Sequence, residues 1–199
     1  MGPAWNAALF VAAGLCAIWL VGFLLFRGPE GLRIVALCIL SAVAYGILHD
    51  LVTARISIEY FTIGHPRLFA SDDPTPRALA WGVLATWWVG LLLGIPLALA
   101  ARRGERPKVA ARELVRPIGV LLCAMALCAL AGAAIGHLGA QRGWFVLFGD
   151  LRERVPAEKQ VAFMTAGGAH SASYLVGFAG GVVLIVRTWR ARACRASSS

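Results

Sequence analysis

Charge is scarce in this chain. Only 15% of its 199 residues are charged and 59% are hydrophobic, whereas soluble domains carry about a quarter charged residues. That excludes an ordinary soluble domain. Other absences narrow the function. No GxGxxG, Walker loop, HExxH or GxSxG is present, which removes the activities that rest on those motifs. There is no internal repeat. The N-terminal apolar run has no basic region before it and no small-residue cleavage site after it, so it reads as a retained helix and not as a secretory signal. No cysteine sits in a polar loop where a pair could oxidise. Cys16, Cys38, Cys123 and Cys128 lie in apolar runs and Cys194 in a basic tail; no disulfide is expected. The offset of Cys123 and Cys128 matches no zinc spacing.

What the chain does have is a series of apolar stretches, each long enough to cross a hydrocarbon core as a helix of about 20 residues. Five spans are expected, over about 5–26, 32–52, 78–101, 115–138 and 162–186. The fold class is therefore all-α, a polytopic transmembrane bundle forming one domain over 1–199. Pro117 falls in a first turn, where proline is tolerated. Pro96 lies within the third span and predicts a kink. Gly132-x-x-x-Gly136 offers a small face for close helix contact, within the bundle rather than between copies. The loop over 67–77, with Asp72, Asp73, Pro74 and Pro76, reads as turn-rich. The segment 187–199 reads as a basic tail, disordered at its end.

The net charge of +9 does not point to nucleic acid. Twelve of the 19 basic residues, and only Glu30, Glu105 and Glu113 of the acids, fall in the first loop, the third loop and the tail. With five spans these segments share one side, and the remaining charges balance on the other. Basic residues collect in cytoplasmic loops. The expected topology has the N-terminus outside and the C-terminus in the cytoplasm, in a bacterial inner membrane. Trp81 and Trp144 then fall near the outer boundary and Trp189 near the inner one, as an aromatic belt requires. The partner is the lipid bilayer, with a homo-oligomer or a larger membrane complex left open.

This topology places every histidine. His49 lies near the outer end of span two, His65 in the loop beyond it, His137 at the end of span four and His170 near the start of span five. None is on the basic side. His49 and His170 are each about three residues inside the boundary, roughly 5 Å deep at about 1.5 Å per residue. Asp50 adjoins the first and Glu59 follows. Imidazole and carboxylate together suit zinc, iron, copper or manganese, so the candidate metal ligands are His49, Asp50, Glu59, His65, His137 and His170. Tyr45, His49 and Thr53 share a helix face, as do His170 and Tyr174. Tyr45, Thr53, Ser173 and Tyr174 are candidate partners fixing the imidazoles. Haem b is the alternative cofactor, with His49 and His137 or His170 as axial ligands. Two further readings stand beside these. The histidines serve as interhelical hydrogen-bonding groups in a structural or accessory subunit, or an Asp–His pair relays protons in a small transporter. No acidic residue lies deep in any span to mark a path for the last.

Tyr45-Gly46-Ile47-Leu48-His49-Asp50, then Thr53, then Ser57-Ile58-Glu59-Tyr60-Phe61-Thr62 resembles the hallmark of a family of bacterial integral membrane proteins without an established activity. That hallmark reads Tyr-Gly-x-x-His-(Asp/Asn)-Gln, Thr or Ser, then Ser-Pro-Glu-Tyr-Phe. Leu51 stands in place of the Gln and Ile58 in place of the Pro. The segment His170 to Tyr174 is similar to a later His-containing stretch of the same family. The resemblance implies a location for a site and names no reaction.

Overall fold

The computed structural model describes residues 29–66 and 73–197. The first expected span, over about 5–26, lies outside them. Among the described residues the structure is all-helical, with no strand. Helix α1 spans Pro29–Ile56, α2 Ile58–Thr62, α3 Pro74–Leu84, α4 Trp87–Arg102, α5 Ala111–Gln141, α6 Asp150–Arg154 and α7 Gln160–Ser197. Four stretches are long and apolar enough to cross a membrane: Pro29–Ile56, Pro74–Arg102, Ala111–Gln141 and Ala157–Cys194. Their outward faces carry large apolar side chains, with Leu40 67%, Leu127 68% and Leu175 71% exposed. Such surface is costly in water and neutral in lipid.

Helix α1 stops at Ile56, and Ser57 turns the chain into α2. Its hydroxyl accepts from the Tyr60 amide at 3.3 Å, which satisfies one donor left over at a helix start, and donates to Glu59 at 3.0 Å. Part of the turn-rich loop is helix. Asp73 accepts from the Thr75 amide at 2.9 Å as the cap of α3, and Pro74 and Pro76 occupy its first turn, where their missing N–H groups cost nothing. The third span is interrupted at Ala85–Thr86, while helix α4 continues through Pro96. The Thr86 hydroxyl donates to the Gly82 carbonyl at 2.5 Å, competing with the backbone for that acceptor. Such back-bonding bends helices.

The helices run alternately up and down. At one end the Ala111 amide donates to Glu30 at 3.1 Å, joining the starts of α1 and α5. Arg192 of α7 is fully buried at this end. It donates to the carbonyls of Ala100 (2.5 Å), Arg103 (2.9 Å), Arg106 (3.0 Å) and Pro107 (2.6 Å). Carbonyls at a helix C-terminus lack intrahelical partners and attract cations. The segment expected as a tail is therefore helical to Ser197, because Arg192 holds it against the end of α4. An apolar core of Ile34, Val35, Leu97, Ala101, Leu114 and Ile118 lies above this clamp. At the other end a smaller cluster of Leu147, Val155 and Phe163 packs the loop after α5 onto α7.

Helices α5 and α7 meet backbone to backbone. A Cβ on Gly132 would collide with the Gly168 carbonyl, one on Gly168 with the Gly132 carbonyl, and one on Gly136 with the Met164 carbonyl. The small-residue motif thus serves a contact inside the bundle. Gly132→Leu is expected to force the two helices apart and to destabilise by about 1–3 kcal/mol, the usual range for overpacking. Gly119→Leu, at a glycine of the same helix with open space around it, should leave thermal stability in detergent nearly unchanged. Equal midpoints for the two variants would contradict the assignment.

Candidate functional site

Three of the expected residues come together between α1 and α7. One ligand atom each from His49, Asp50 and His170 lies within 4.8 Å of the others. His49 and Asp50 are adjacent on α1 and reach the same space because α7 passes across both. His170 Nε2 is 3.8 Å from Asp50 Oδ1. The His49 and His170 rings meet edge to face, with centroids 4.5 Å apart and planes at 85°. Asp50 and His170 are buried. His49 Nε2 is also buried and has no hydrogen-bond partner among the described residues.

Two interhelical hydrogen bonds flank the cluster. Tyr45 Oη lies 2.7 Å from Ser173 Oγ. Thr53 Oγ1 lies 3.1 Å from His170 Nε2 and donates to the His49 carbonyl, also at 3.1 Å. A hydroxyl has one proton to give. When it goes to the carbonyl, His170 must supply an Nε2–H to Thr53. When Nε2 instead offers its lone pair elsewhere, the Thr53 contact has no proton of its own to rely on. This bond therefore opposes use of Nε2 as a ligand in the geometry seen.

Aromatic rings surround the two imidazoles. Tyr60 stacks on His170 with centroids 4.6 Å apart, and Phe61 lies edge-on at 5.8 Å. Tyr45 stacks on His49 at 5.6 Å, and Tyr174 lies 6.4 Å from His170. Burial pushes the Tyr60 phenol up to about 12, with Tyr174 and Asp50 adding to the shift, so this ring stays neutral. Tyr60 and Phe61 were visible in the sequence only as part of a resemblance. Their role against His170 arises because the break at Ser57 folds α2 back over the site.

The other expected ligands lie apart from the cluster. His65 Nδ1 bonds to the Tyr60 carbonyl at 2.8 Å, and its ring packs 4.9 Å from Trp81. His137 Nδ1 pairs with Thr165 Oγ1 at 3.2 Å. Glu59 accepts from Ser57 and lies 3.8 Å from Lys159 Nζ. Each has a local partner of its own.

The inner side of the cluster opens into a cavity of about 110 Å³. His49, Asp50, His170, Tyr45 and Ser173 form its polar end. Its remaining wall is almost entirely apolar, with Leu93, Leu97, Leu121, Leu122, Met125 and Leu184 among the lining residues. Compared with known proteins, the chain matches no family model, no curated protein and no solved structure. The chemistry of the site must therefore be read from its own geometry.

Thr53→Val keeps the shape of the side chain and removes the hydroxyl. It is expected to destabilise the protein by about 1–3 kcal/mol, the cost of leaving a buried polar group unpaired. Thermal unfolding in detergent checks this, and an unchanged midpoint would show that the His170–Thr53 bond contributes nothing.

Proposed function

We propose that the protein is a multi-pass bacterial inner-membrane protein that holds one transition-metal ion between His49, Asp50 and His170, near the periplasmic face. The observation that carries this reading is the convergence of two imidazoles and a carboxylate on one point, in surroundings where burying them is costly without a partner. In a tetrahedral site with bonds of about 2.0–2.1 Å, neighbouring ligand atoms stand roughly 3.4 Å apart. The ligand atoms, within 4.8 Å of one another, must close by up to about 1.4 Å, His170 Nε2 gives up its Thr53 bond to take part, and the unpartnered His49 Nε2 supplies a lone pair. Three protein ligands leave a fourth position toward the cavity, the arrangement of catalytic rather than structural zinc. An ion there would supply Lewis-acid chemistry to whatever enters the cavity. Haem fits less well, since the His49 and His170 rings touch and leave no gap for a macrocycle. A proton path is not supported either, since the cavity wall below the cluster carries only Ser41 and Thr86 as further hydroxyls and no ionisable carboxylate or imidazole.

The structural reading has its own observation, the Thr53–His170 and Tyr45–Ser173 bonds that tie α1 to α7. The two readings differ in metal content. Protein purified without chelator and reloaded with zinc, iron, copper or manganese should carry near one ion per chain by elemental analysis, with no Soret band. His49→Ala, Asp50→Asn and His170→Ala should each lower retention at least tenfold, and His65→Ala and His137→Ala should leave it unchanged. A folded wild type that takes up none of these metals would leave the structural reading in place.

The basic end of the bundle, where Arg102, Arg103, Arg106, Lys108, Arg112 and Arg116 gather opposite the histidines, supports this orientation. A green fluorescent protein fused after Ser199 should fluoresce, and alkaline phosphatase inserted after Gly149 should be active. The reverse pattern would place the site on the cytoplasmic side.

A further inference from the structure

The cavity beneath the cluster is long. On α1 its lining runs from Asp50 to Cys38, and on α7 from His170 to Leu184. At about 1.5 Å per helical residue these are ~18 Å and ~21 Å. One leaflet of hydrocarbon is ~15 Å, half of the ~30 Å core. A volume of about 110 Å³ over that length makes a narrow bore, with no room for two chains. Water is a poor occupant, since a file of waters needs two to four polar partners each and apolar cavities stay dry. Most of the polar groups gather at one end, with Ser41 and Thr86 the only other hydroxyls in the wall. Two lining residues, Tyr174 and Phe178, are also 45% and 56% exposed, so the wall of the bore is continuous with surface that faces lipid in a bilayer.

We infer that this cavity takes a single fatty-acyl chain, with the chain in the bore and its carbonyl head at His49, Asp50 and His170. The inference rests on the site proposed above for its head end alone; the bore stands on its lining. Each end suits its part of the ligand. Leucine and methionine side chains cover the methylenes, and the glycines at 90, 177 and 181 lie in the wall where a neighbouring helix or side chain comes close. The carbonyl reaches the open side of the cluster, with the Tyr45 and Ser173 hydroxyls beside it. Carboxylate and ester heads share this chemistry, so a free fatty acid and an acyl ester are both sources of the chain.

The test uses the full-length protein in digitonin, which has no alkyl chain of its own to compete, with the fluorescent fatty acid cis-parinaric acid as probe and metal content measured on the same samples. Saturable binding near one probe per chain is expected. Palmitate should displace the probe at least tenfold better than octanoate. Leu93→Trp and Ala42→Phe, which fill the bore from two different helices, should each weaken binding at least tenfold while keeping the wild-type metal content. Displacement by methyl palmitate as effective as by palmitate would assign the ester as source, and displacement by palmitate alone the free acid. Non-saturable binding, no dependence on chain length, or binding unaltered in both filled variants would overturn the inference even with the metal in place. Length-dependent binding that both variants weaken, in protein that takes up no metal, would support the acyl site and remove the metal reading.

Discussion

The approach of α5 and α7 at glycine sets the position of everything at the site. In lipid there is little hydrophobic gain in bringing helices together, so contact relies on close packing and a few polar bonds. Gly168 presses on Gly132 with no side chain between them. His170 is two residues further along α7, about 200° around the helix at 3.6 residues per turn. The face of α7 that meets α5 is therefore opposite the face that carries His170. Fixing one fixes the other, and the imidazole is aimed at α1, where His49 and Asp50 wait.

Around that axis the polar groups are economical. Tyr45 with Ser173 and Thr53 with His170 form two rungs between α1 and α7, above and below the cluster. Tyr60 and Phe61 lie over it from α2. The result is a polar point closed toward one face of the bundle and open toward an apolar interior. Two environments of opposite character meet at three side chains, and that junction is what gives the site its chemical interest.

Much of this architecture could be read from the chain, and the reasons for the rest are specific. Hydropathy marks the spans because lipid demands long apolar helices, and four stretches among the described residues are long and apolar enough to cross a membrane. His49, Asp50 and His170 were legible as a group because depth is set by counting residues along a helix. Rotation about the helix is not set that way. His137 lies at a suitable depth but turns to Thr165. Glu59 and His65 turn to Ser57 and Tyr60, since the break after Ile56 redirects them. Pro96 looked like the place for a bend, yet the interruption falls at Ala85–Thr86, where a hydroxyl competes for a carbonyl. The cavity was invisible, because it is made by side chains from four helices that no local pattern relates.

Arg192 has a consequence for the order in which the molecule is completed. The carbonyls it binds belong to residues 85 to 92 positions earlier in the chain. During synthesis the end of α4 and the loop after it emerge well before the guanidinium that satisfies them, and two long helices must be made and inserted in between. Until then those carbonyls have only water or lipid headgroups as partners. The bundle's basic end thus acts as a latch that closes last, so that a nascent chain is distinguishable from a finished one at this end of the protein, by the state of four backbone oxygens.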